Sequence, residues 1–139
     1  MPNRIGNFTL RGDFDPDEIT KQLGIVPDWV ARKGEYTVEG ALGPIKASIW
    51  VLYCLRDAGC DVSDQIVSLL SKLSNKLALA GELSAKYDGT FNLVGCRGSG
   101  IDFWIEAANV RRLADLNIDI DCDYVDAEDV ICEEPEDVD

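Results

Sequence analysis

Two segments near the ends of the chain alternate strictly between apolar and polar residues. In residues 7–14, two large apolar side chains share one face and polar side chains separate them. In residues 118–125, apolar residues alternate with three aspartates. A period of two residues is typical of a strand buried on one face, so both segments are predicted strands. The aspartates expected to face solvent are Asp119, Asp121 and Asp123.

Helical spacing of apolar residues follows the first strand and recurs in the middle of the chain. Asp15 and Glu18 predict a capping box around Pro16, which suits the first turn of a helix. Gly24 predicts the end of this helix. A longer amphipathic helix is predicted from near residue 63 to residues 81–86. Its buried stripe is expected to consist of Ile66, Leu69, Leu70, Leu73 and Leu77.

The remaining pattern predicts a central strand, a hairpin and one more helix. Residues 47–55 are apolar on both faces, which favours a strand covered on both sides. Residues 91–94 and 101–105 are predicted strands joined by a glycine-rich turn, and Asn109 is a candidate cap for a short helix. Residues 25–45 contain several glycines and prolines, which predict a long loop with room for a short hairpin.

These elements predict an α+β fold. Three helices that share space with strands favour two packed layers. We expect a two-layer sandwich with a mostly antiparallel sheet, helices on one face, and a ferredoxin-like core with an added strand. A length of 139 residues fits one domain. That domain is predicted for residues 1–127, and an acidic, frayed C-terminal tail for residues 128–139.

Composition favours a cytoplasmic protein. The longest apolar stretch, residues 49–55, covers seven residues, whereas a membrane span needs about twenty. Because no export signal is recognisable either, we expect a cytoplasmic location. In a reducing cytoplasm the five cysteines are interpreted mainly as small buried hydrophobic residues. A reactive thiol is the alternative, for which only Cys96 has a neighbouring cation, Arg97.

The sequence contains no histidine. This excludes Ser-His-Asp and Cys-His couples and histidine-based zinc sites. The Asp-x-Asp-x-Asp motif of residues 119–123 lacks the glycine and the glutamate that complete an EF-hand loop, so no calcium site is predicted. The glycine-rich residues 95–100 precede a predicted strand instead of a helix, which favours a turn over a phosphate-binding loop. We therefore predict no catalytic residues, no metal site, no cofactor and no enzymatic activity.

The net charge of −13 is concentrated at the C-terminal end. Residues 1–112 carry a net charge of −1, whereas residues 113–139 contain 12 acidic residues and no basic one. Such a segment repels phosphate, so direct nucleic-acid binding is not expected. It would attract a basic protein partner, or serve only to keep the protein soluble. The candidate partner-binding residues are Asp119, Asp121, Asp123, Asp126, Glu128 and Asp129.

Trp29, Arg32 and Lys33 form a second candidate group. An aromatic ring beside two cations can stack on, and neutralise, a small anionic ligand. The alternative is structural, with Trp29 covering a sheet edge and Arg32 joining its loop to a carboxylate.

Several motifs resemble a known family. They are Thr20-Lys-Gln-Leu-Gly-Ile-Val-Pro27, Trp29, Arg32-Lys-Gly-Glu35, Ser48-Ile-Trp50 and, over residues 113–124, Leu-Ala-Asp-Leu-Asn-Ile-Asp-Ile-Asp-Cys-Asp-Tyr. In these motifs the chain resembles a family of small bacterial proteins that is catalogued only as a domain of unknown function. The resemblance implies a compact, stand-alone bacterial α+β domain and supplies no catalytic residues. Small acidic bacterial proteins of this kind include toxin-neutralising immunity proteins.

Three functions remain in order of preference. The first is an interaction protein, an inhibitor or immunity-type binder of a basic, nuclease-like or nucleic-acid-binding protein, because the negative charge is so concentrated. The alternative is a small anionic-ligand sensor or binding module that uses Trp29, Arg32 and Lys33. The third is a metal-dependent carboxylate enzyme, which no ligand spacing supports.

Overall fold

The computed structural model describes residues 5–35, 43–96 and 104–126. The strands within these residues are β1 (Asn7–Gly12), β2 (Trp29–Ala31), β3 (Ser48–Tyr53), β4 (Asp88–Cys96) and β5 (Asp119–Val125). The α-helices are α1 (Pro16–Leu23), α2 (Val62–Leu73), α3 (Leu77–Lys86) and α4 (Ala107–Asp115). Two short 3-10 helices occupy Arg56–Ala58 and Ser74–Lys76.

The strands form one sheet in the order β2-β3-β1-β4-β5. The pairs β2–β3, β3–β1 and β1–β4 are antiparallel, and β5 pairs in parallel with β4. The connections β1-α1-β2 and β3-α2-α3-β4 each join two parallel strands that have another strand between them. This split β-α-β arrangement is a ferredoxin-like core, to which α4 and β5 add a fifth strand. The predicted α+β class, with a mostly antiparallel sheet, is confirmed.

The described helices all pack on one face of the sheet, as predicted. At its centre, the fully buried rings of Phe8, Trp50 and Phe91 meet edge to face, with centroids 6.2 Å apart for Phe8–Trp50 and 5.8 Å apart for Phe8–Phe91. Side chains from all four helices join the same hydrophobic cluster. Edge-to-face geometry is favourable for aromatic pairs, so the rings stabilise the core beyond their burial alone. Among the described helices, none has the length and apolar character required to cross a membrane.

Helix α1 has the N-cap residue and the terminal glycine that the sequence predicts, but the described hydrogen bonds include none from the Glu18 half of the capping box. A carboxylate oxygen of Asp15 accepts a hydrogen bond from the backbone N–H of Asp17 at 3.0 Å, and Pro16 occupies the first helical position. The helix ends at Gly24, whose φ of 66° lies in the left-handed region. Glycine adopts this conformation without the steric cost that a Cβ adds.

The predicted long central helix is two helices. The 3-10 turn Ser74–Lys76 separates α2 from α3. A straight helix over residues 63–86 would be about 36 Å long, whereas a six-residue strand such as β3 spans about 20 Å. The break therefore lets both halves keep their apolar side chains on the sheet. In the expected stripe, Leu77 is only partly buried.

Three other sequence assignments differ from the structure. The predicted loop 25–45 contains β2, which forms by pairing with β3. Of the predicted strand 101–105, residues 101–103 lie outside the described residues, and Trp104 and Ile105 do not form a strand. Helix α4 begins after Glu106, so Asn109 lies within its first turn instead of capping it.

Two of the cysteines are paired. Cys60, just before α2, forms a disulfide with Cys96 at the end of β4, and their Cα atoms are 5.4 Å apart. Cys96 is buried in an apolar cluster, as interpreted, and Cys60 packs against that cluster. The expectation of separate thiols is wrong, and so is the alternative of a reactive thiol at Cys96, because the fold brings these residues, 36 positions apart, together and bonds their sulfur atoms. Cys54 fits that interpretation, since it is a free, buried cysteine. Burial raises the pKa of its thiol to about 11.

Candidate functional site

Strand β5 carries the candidate acidic surface at one edge of the sheet. Within the described part of the chain, β5 pairs only with β4. Its register places Asp119 beside Thr90 and Asp121 beside Asn92, on the sheet face opposite the helices. Asp119, Asp121 and Asp123, called the β5 aspartates below, are all exposed, and so is Asp126 after the strand. Glu128 and Asp129 lie outside the described residues.

The turn that leads into β5 is held by α3. Asn117 has a φ of 53°, in the left-handed region that Asn tolerates better than most residues. Its side-chain N–H donates to the carbonyl oxygen of Gly81 at 3.1 Å. A Cβ at Gly81 would lie 2.4 Å from the carbonyl oxygen of Asp115, so this approach requires glycine. The start of β5 is thus positioned by contacts to a distant helix.

The opposite face of β5 is also largely exposed. The sequence pattern places Ile120 and Tyr124 on its apolar side, but their exposed fractions are 50% and 37%. The reason is the position of the strand at the edge, where the helical layer covers it incompletely. Tyr124 lies across Gly95 of β4, where a Cβ would be 2.7 Å from the Tyr124 ring. Burial raises the pKa of the neighbouring Cys122 thiol, despite a hydrogen bond with Tyr124 that lowers it.

A network of uncharged side chains adjoins the β5 aspartates on β1 and β4. The Asn7 carboxamide oxygen accepts hydrogen bonds from Thr9 Oγ1 at 2.7 Å and from Asn92 Nδ2 at 3.0 Å. The Asn7 amide nitrogen donates to the carbonyl oxygen of Ile5 at 3.0 Å. These groups satisfy one another, as buried polar groups require. The network continues the polar side of the sheet inward from Asp121 without adding charge to it, and Asn7 at its centre is buried.

The second candidate group, Trp29, Arg32 and Lys33, lies at the other edge of the sheet. Arg32 donates to Asp15 at 3.1 Å and to Asp17 at 3.0 Å, in the first turn of α1. The hydrogen bond and charge of Asp17 raise the pKa of the Arg32 guanidinium. Both partners are exposed carboxylates, so the geometry is that of a surface ion pair between a loop and a helix.

The other two members of this group do not converge with Arg32. Lys33 lies 3.4 Å from a carboxylate oxygen of Asp13. Trp29 is half-buried and pairs with Val51, on the sheet face opposite the helices. A small anion would have to compete with the carboxylates that already hold the cations. The anionic-ligand hypothesis stays a prediction.

The structure also reveals an exposed groove between α2 and α4, lined by both apolar and polar side chains, that the sequence did not suggest. Trp104 is 77% exposed, although Ser63 Oγ accepts from its backbone N–H at 2.9 Å and donates to its carbonyl oxygen at 2.6 Å. Beside it lies an open depression of about 480 Å³ lined by Ile66, Val67 and Arg112, among others. Periodicity alone predicts a strand at Trp104, and no local signal distinguishes an exposed tryptophan from a buried one.

A metal site needs several ligand side chains that converge on one point. Among residues 5–35, 43–96 and 104–126, no group of three or more His, Cys, Asp or Glu side chains could hold a metal ion. The β5 aspartates illustrate the reason, because alternate side chains on an extended strand project in parallel instead of converging. The hypothesis of a metal-dependent carboxylate enzyme gains no support from this part of the chain.

A family profile matches most of the chain. This profile, described as "Domain of unknown function (DUF4279)", matches residues 6–127. No curated protein and no solved structure matches the chain.

Proposed function

Because the chain belongs to the DUF4279 family, whose description names no activity, we propose a function from its surface: it is an interaction protein that binds a basic protein partner. The observation that carries the proposal is the row of exposed carboxylates on edge strand β5. The partner is proposed to be a nuclease-like or nucleic-acid-binding protein. The DUF4279 chain is proposed to inhibit this partner by binding to it, as an immunity protein does. The location is proposed to be the bacterial cytoplasm, where reducing conditions would open the Cys60–Cys96 disulfide.

The charge distribution supports this choice of partner. Proteins that bind nucleic acid present Lys and Arg side chains to the phosphates. A row of carboxylates on a strand is complementary to such a surface and can occupy it in place of the phosphates. Charge of one sign on one surface also accelerates encounter with a partner of the opposite sign. These properties are those of an inhibitor that competes with nucleic acid.

The position of the β5 aspartates also supports the proposal. The strand is joined to the core by parallel pairing with β4 over seven residue pairs. The aspartates are therefore presented by a regular element instead of a loop, and little ordering of the backbone is needed on binding. Preorganisation of this kind reduces the entropic cost of association.

The test is a comparison of two triple variants with equal changes of charge. In the first, the β5 aspartates are replaced by Asn. The control replaces three exposed carboxylates on helices and a helix cap, with the substitutions Glu18→Gln, Glu82→Gln and Glu106→Gln. A partner captured from the native host is then purified, and its association rate with each variant is measured at several salt concentrations.

We expect the β5 variant to associate about tenfold more slowly than the unmodified chain at low salt, within the range that electrostatic steering supplies. The control variant should retain most of the rate, and the rate of the unmodified chain should fall as salt shortens the Debye length to about 8 Å at physiological ionic strength. Equal rates for the two triple variants would mean that only net charge matters. The acidic strand would then be a solubilising surface, and the proposal would fail.

A further inference from the structure

The edge of β5 that faces away from β4 is called the free edge below, because no strand of the described residues lies beside it. It is a second feature of the acidic strand, independent of its charge. Within the described residues, one edge of β5 bonds to β4 and the other has no strand beside it. The strand runs for seven residues without proline. In a parallel pair, every second residue directs its N–H and C=O away from the neighbouring strand. Such a row of outward groups is a template for a further strand.

Apolar side chains flank this edge on the helix side. Ile120 and Tyr124 are 50% and 37% exposed, on the face opposite the β5 aspartates. An added strand would cover both side chains and remove apolar area from water, which is favourable by roughly 25 cal/mol per Å². One added strand would therefore contact the aspartate face, the apolar face and the free edge of β5 at the same time.

The charge of the β5 aspartates determines which kind of strand can pair with the free edge. In an antiparallel pair between two copies of β5 within one continuous sheet, aspartates would lie opposite aspartates. Like charges directly opposite one another are destabilising, so a second copy of the chain is disfavoured. A strand with cations at every second position would instead form opposite-charge pairs along the whole row.

We propose that the partner binds by β-strand addition to the free edge of β5, through an extended segment with Lys or Arg at alternate positions. Its cations lie opposite the β5 aspartates, and its intervening apolar residues lie beside Ile120 and Tyr124. This inference rests on the proposed function and specifies the partner's binding segment. It differs from binding by charge alone, because it requires both an alternating sequence and free backbone N–H groups.

The test uses synthetic peptides with the length of β5, seven residues. The alternating peptide is Thr-Lys-Val-Lys-Val-Lys-Thr, with blocked ends. The shuffled peptide, Thr-Val-Lys-Lys-Lys-Val-Thr, has the same composition and charge without the alternation. Two further versions of the alternating peptide carry N-methyl groups on backbone nitrogens. In one version the methylated backbone nitrogens are those of the lysines, and in the other they are those of the residues between the lysines. Binding is measured by titration, and hydrogen exchange of the β5 amides by NMR.

We expect the alternating peptide to bind at least tenfold more tightly than the shuffled peptide. One N-methylated version should lose this advantage and the other should keep it, because only alternate nitrogens of an added strand bond to β5. Exchange should slow at alternate β5 amides, namely those that point outward. The triple Asn variant of β5 should bind the alternating peptide at least tenfold more weakly than the control variant does.

Two results separate this inference from the proposed function. If the alternating, shuffled and N-methylated peptides all bind alike and all lose binding in the triple Asn variant, strand addition is wrong and charge-driven binding stands. If the triple Asn variant binds every peptide as well as the unmodified chain does, the acidic surface itself fails. Absence of binding by the alternating peptide, or outward β5 amides already protected in the free protein, would also overturn strand addition.

Discussion

Gln65 acts as a substitute for a strand neighbour of β4. The pairing of β1 with β4 ends at Asn7 and Asn92, two residues before Val94. Gln65 Oε1 accepts from the Val94 N–H at 2.9 Å, and Gln65 Nε2 donates to the Val94 carbonyl oxygen at 2.7 Å and to the Gly59 carbonyl oxygen at 2.8 Å. One fully buried amide therefore satisfies three backbone groups.

Replacing Gln65 by Leu should destabilise the fold strongly. The substitution leaves the backbone groups at Val94 and Gly59 without partners, and each such buried group costs about 1–3 kcal/mol. We expect the free energy of unfolding to fall by at least about 3 kcal/mol in urea denaturation. Gln22→Leu, at an exposed position of α1, is the control and should change it by less than about 0.5 kcal/mol. A similarly small loss for Gln65→Leu would disprove the role of this amide.

Cys54 predicts a loss of stability at alkaline pH. Its thiol pKa is raised by burial from 9.0 to about 11, so the folded state binds the proton more tightly than the unfolded state does. The contribution is complete below the unfolded pKa near 9 and disappears as the pH rises to 11. Two pKa units correspond to about 2–3 kcal/mol. Urea denaturation between these pH values should show the stability difference between the natural chain and Cys54→Ala shrinking by about that amount, whereas parallel pH profiles would contradict the assignment.

At the scale of the elements, α2 offers a matched pair of positions. Leu70 is 4% exposed and belongs to the core, whereas Val67, on the same helix, is 52% exposed. Leu70→Ala removes buried methyl groups and leaves a cavity, so we expect a loss of about 2–5 kcal/mol. Val67→Ala should cost less than about 1 kcal/mol, because the exposed valine leaves no cavity. Chemical denaturation compares the two, and equal losses would show that the buried face of α2 is misassigned.

The Cys60–Cys96 disulfide joins the start of α2 to the end of β4. Val125, near the end of β5, packs against Cys96 in the same small apolar cluster. A cross-link over 36 residues restricts the unfolded chain and stabilises a fold by about 2–4 kcal/mol. We expect dithiothreitol to lower the melting temperature of the natural chain.

The matched control for that measurement is the double variant Cys60→Ser and Cys96→Ser. Its melting temperature should be lower than that of the oxidised natural chain and should not respond to dithiothreitol. Titration of the unfolded protein for thiols before and after reduction measures the disulfide directly. A count of five thiols without reductant, one for each cysteine of the sequence, would show that the bond is absent.

At the scale of the whole molecule, the predicted division at residue 127 can be tested by truncation. Residues 128–139 contain seven acidic residues and no basic one. If the domain folds without this tail, a variant truncated after Ala127 should keep the free energy of unfolding within about 0.5 kcal/mol of the full chain. Its isoelectric point should rise, which isoelectric focusing measures. A loss of several kcal/mol would assign the tail to the fold.

Much of the secondary structure could be predicted from neighbouring residues. The ends of α1 follow from the hydrogen bond that Asp15 makes and the left-handed conformation that Gly24 permits. The alternation in β5 predicts the exposed face of its aspartates, which the structure confirms. Helix caps and hydrophobic periodicities depend on residues within a few positions of one another, so they can be predicted from the sequence.

The tertiary structure alone decided the features that make β5 a candidate binding site. Its parallel pairing with β4 puts it at the sheet edge, which leaves Ile120 and Tyr124 exposed although the alternation predicts a buried face. The short strand β2, the break between α2 and α3 and the disulfide likewise depend on partners far apart in the chain. The sequence by itself therefore determined which residues of β5 are acidic and which face they share. Only the three-dimensional arrangement decided that this face borders an edge with no other described strand beside it, because strand order depends on long-range contacts that local periodicity does not encode.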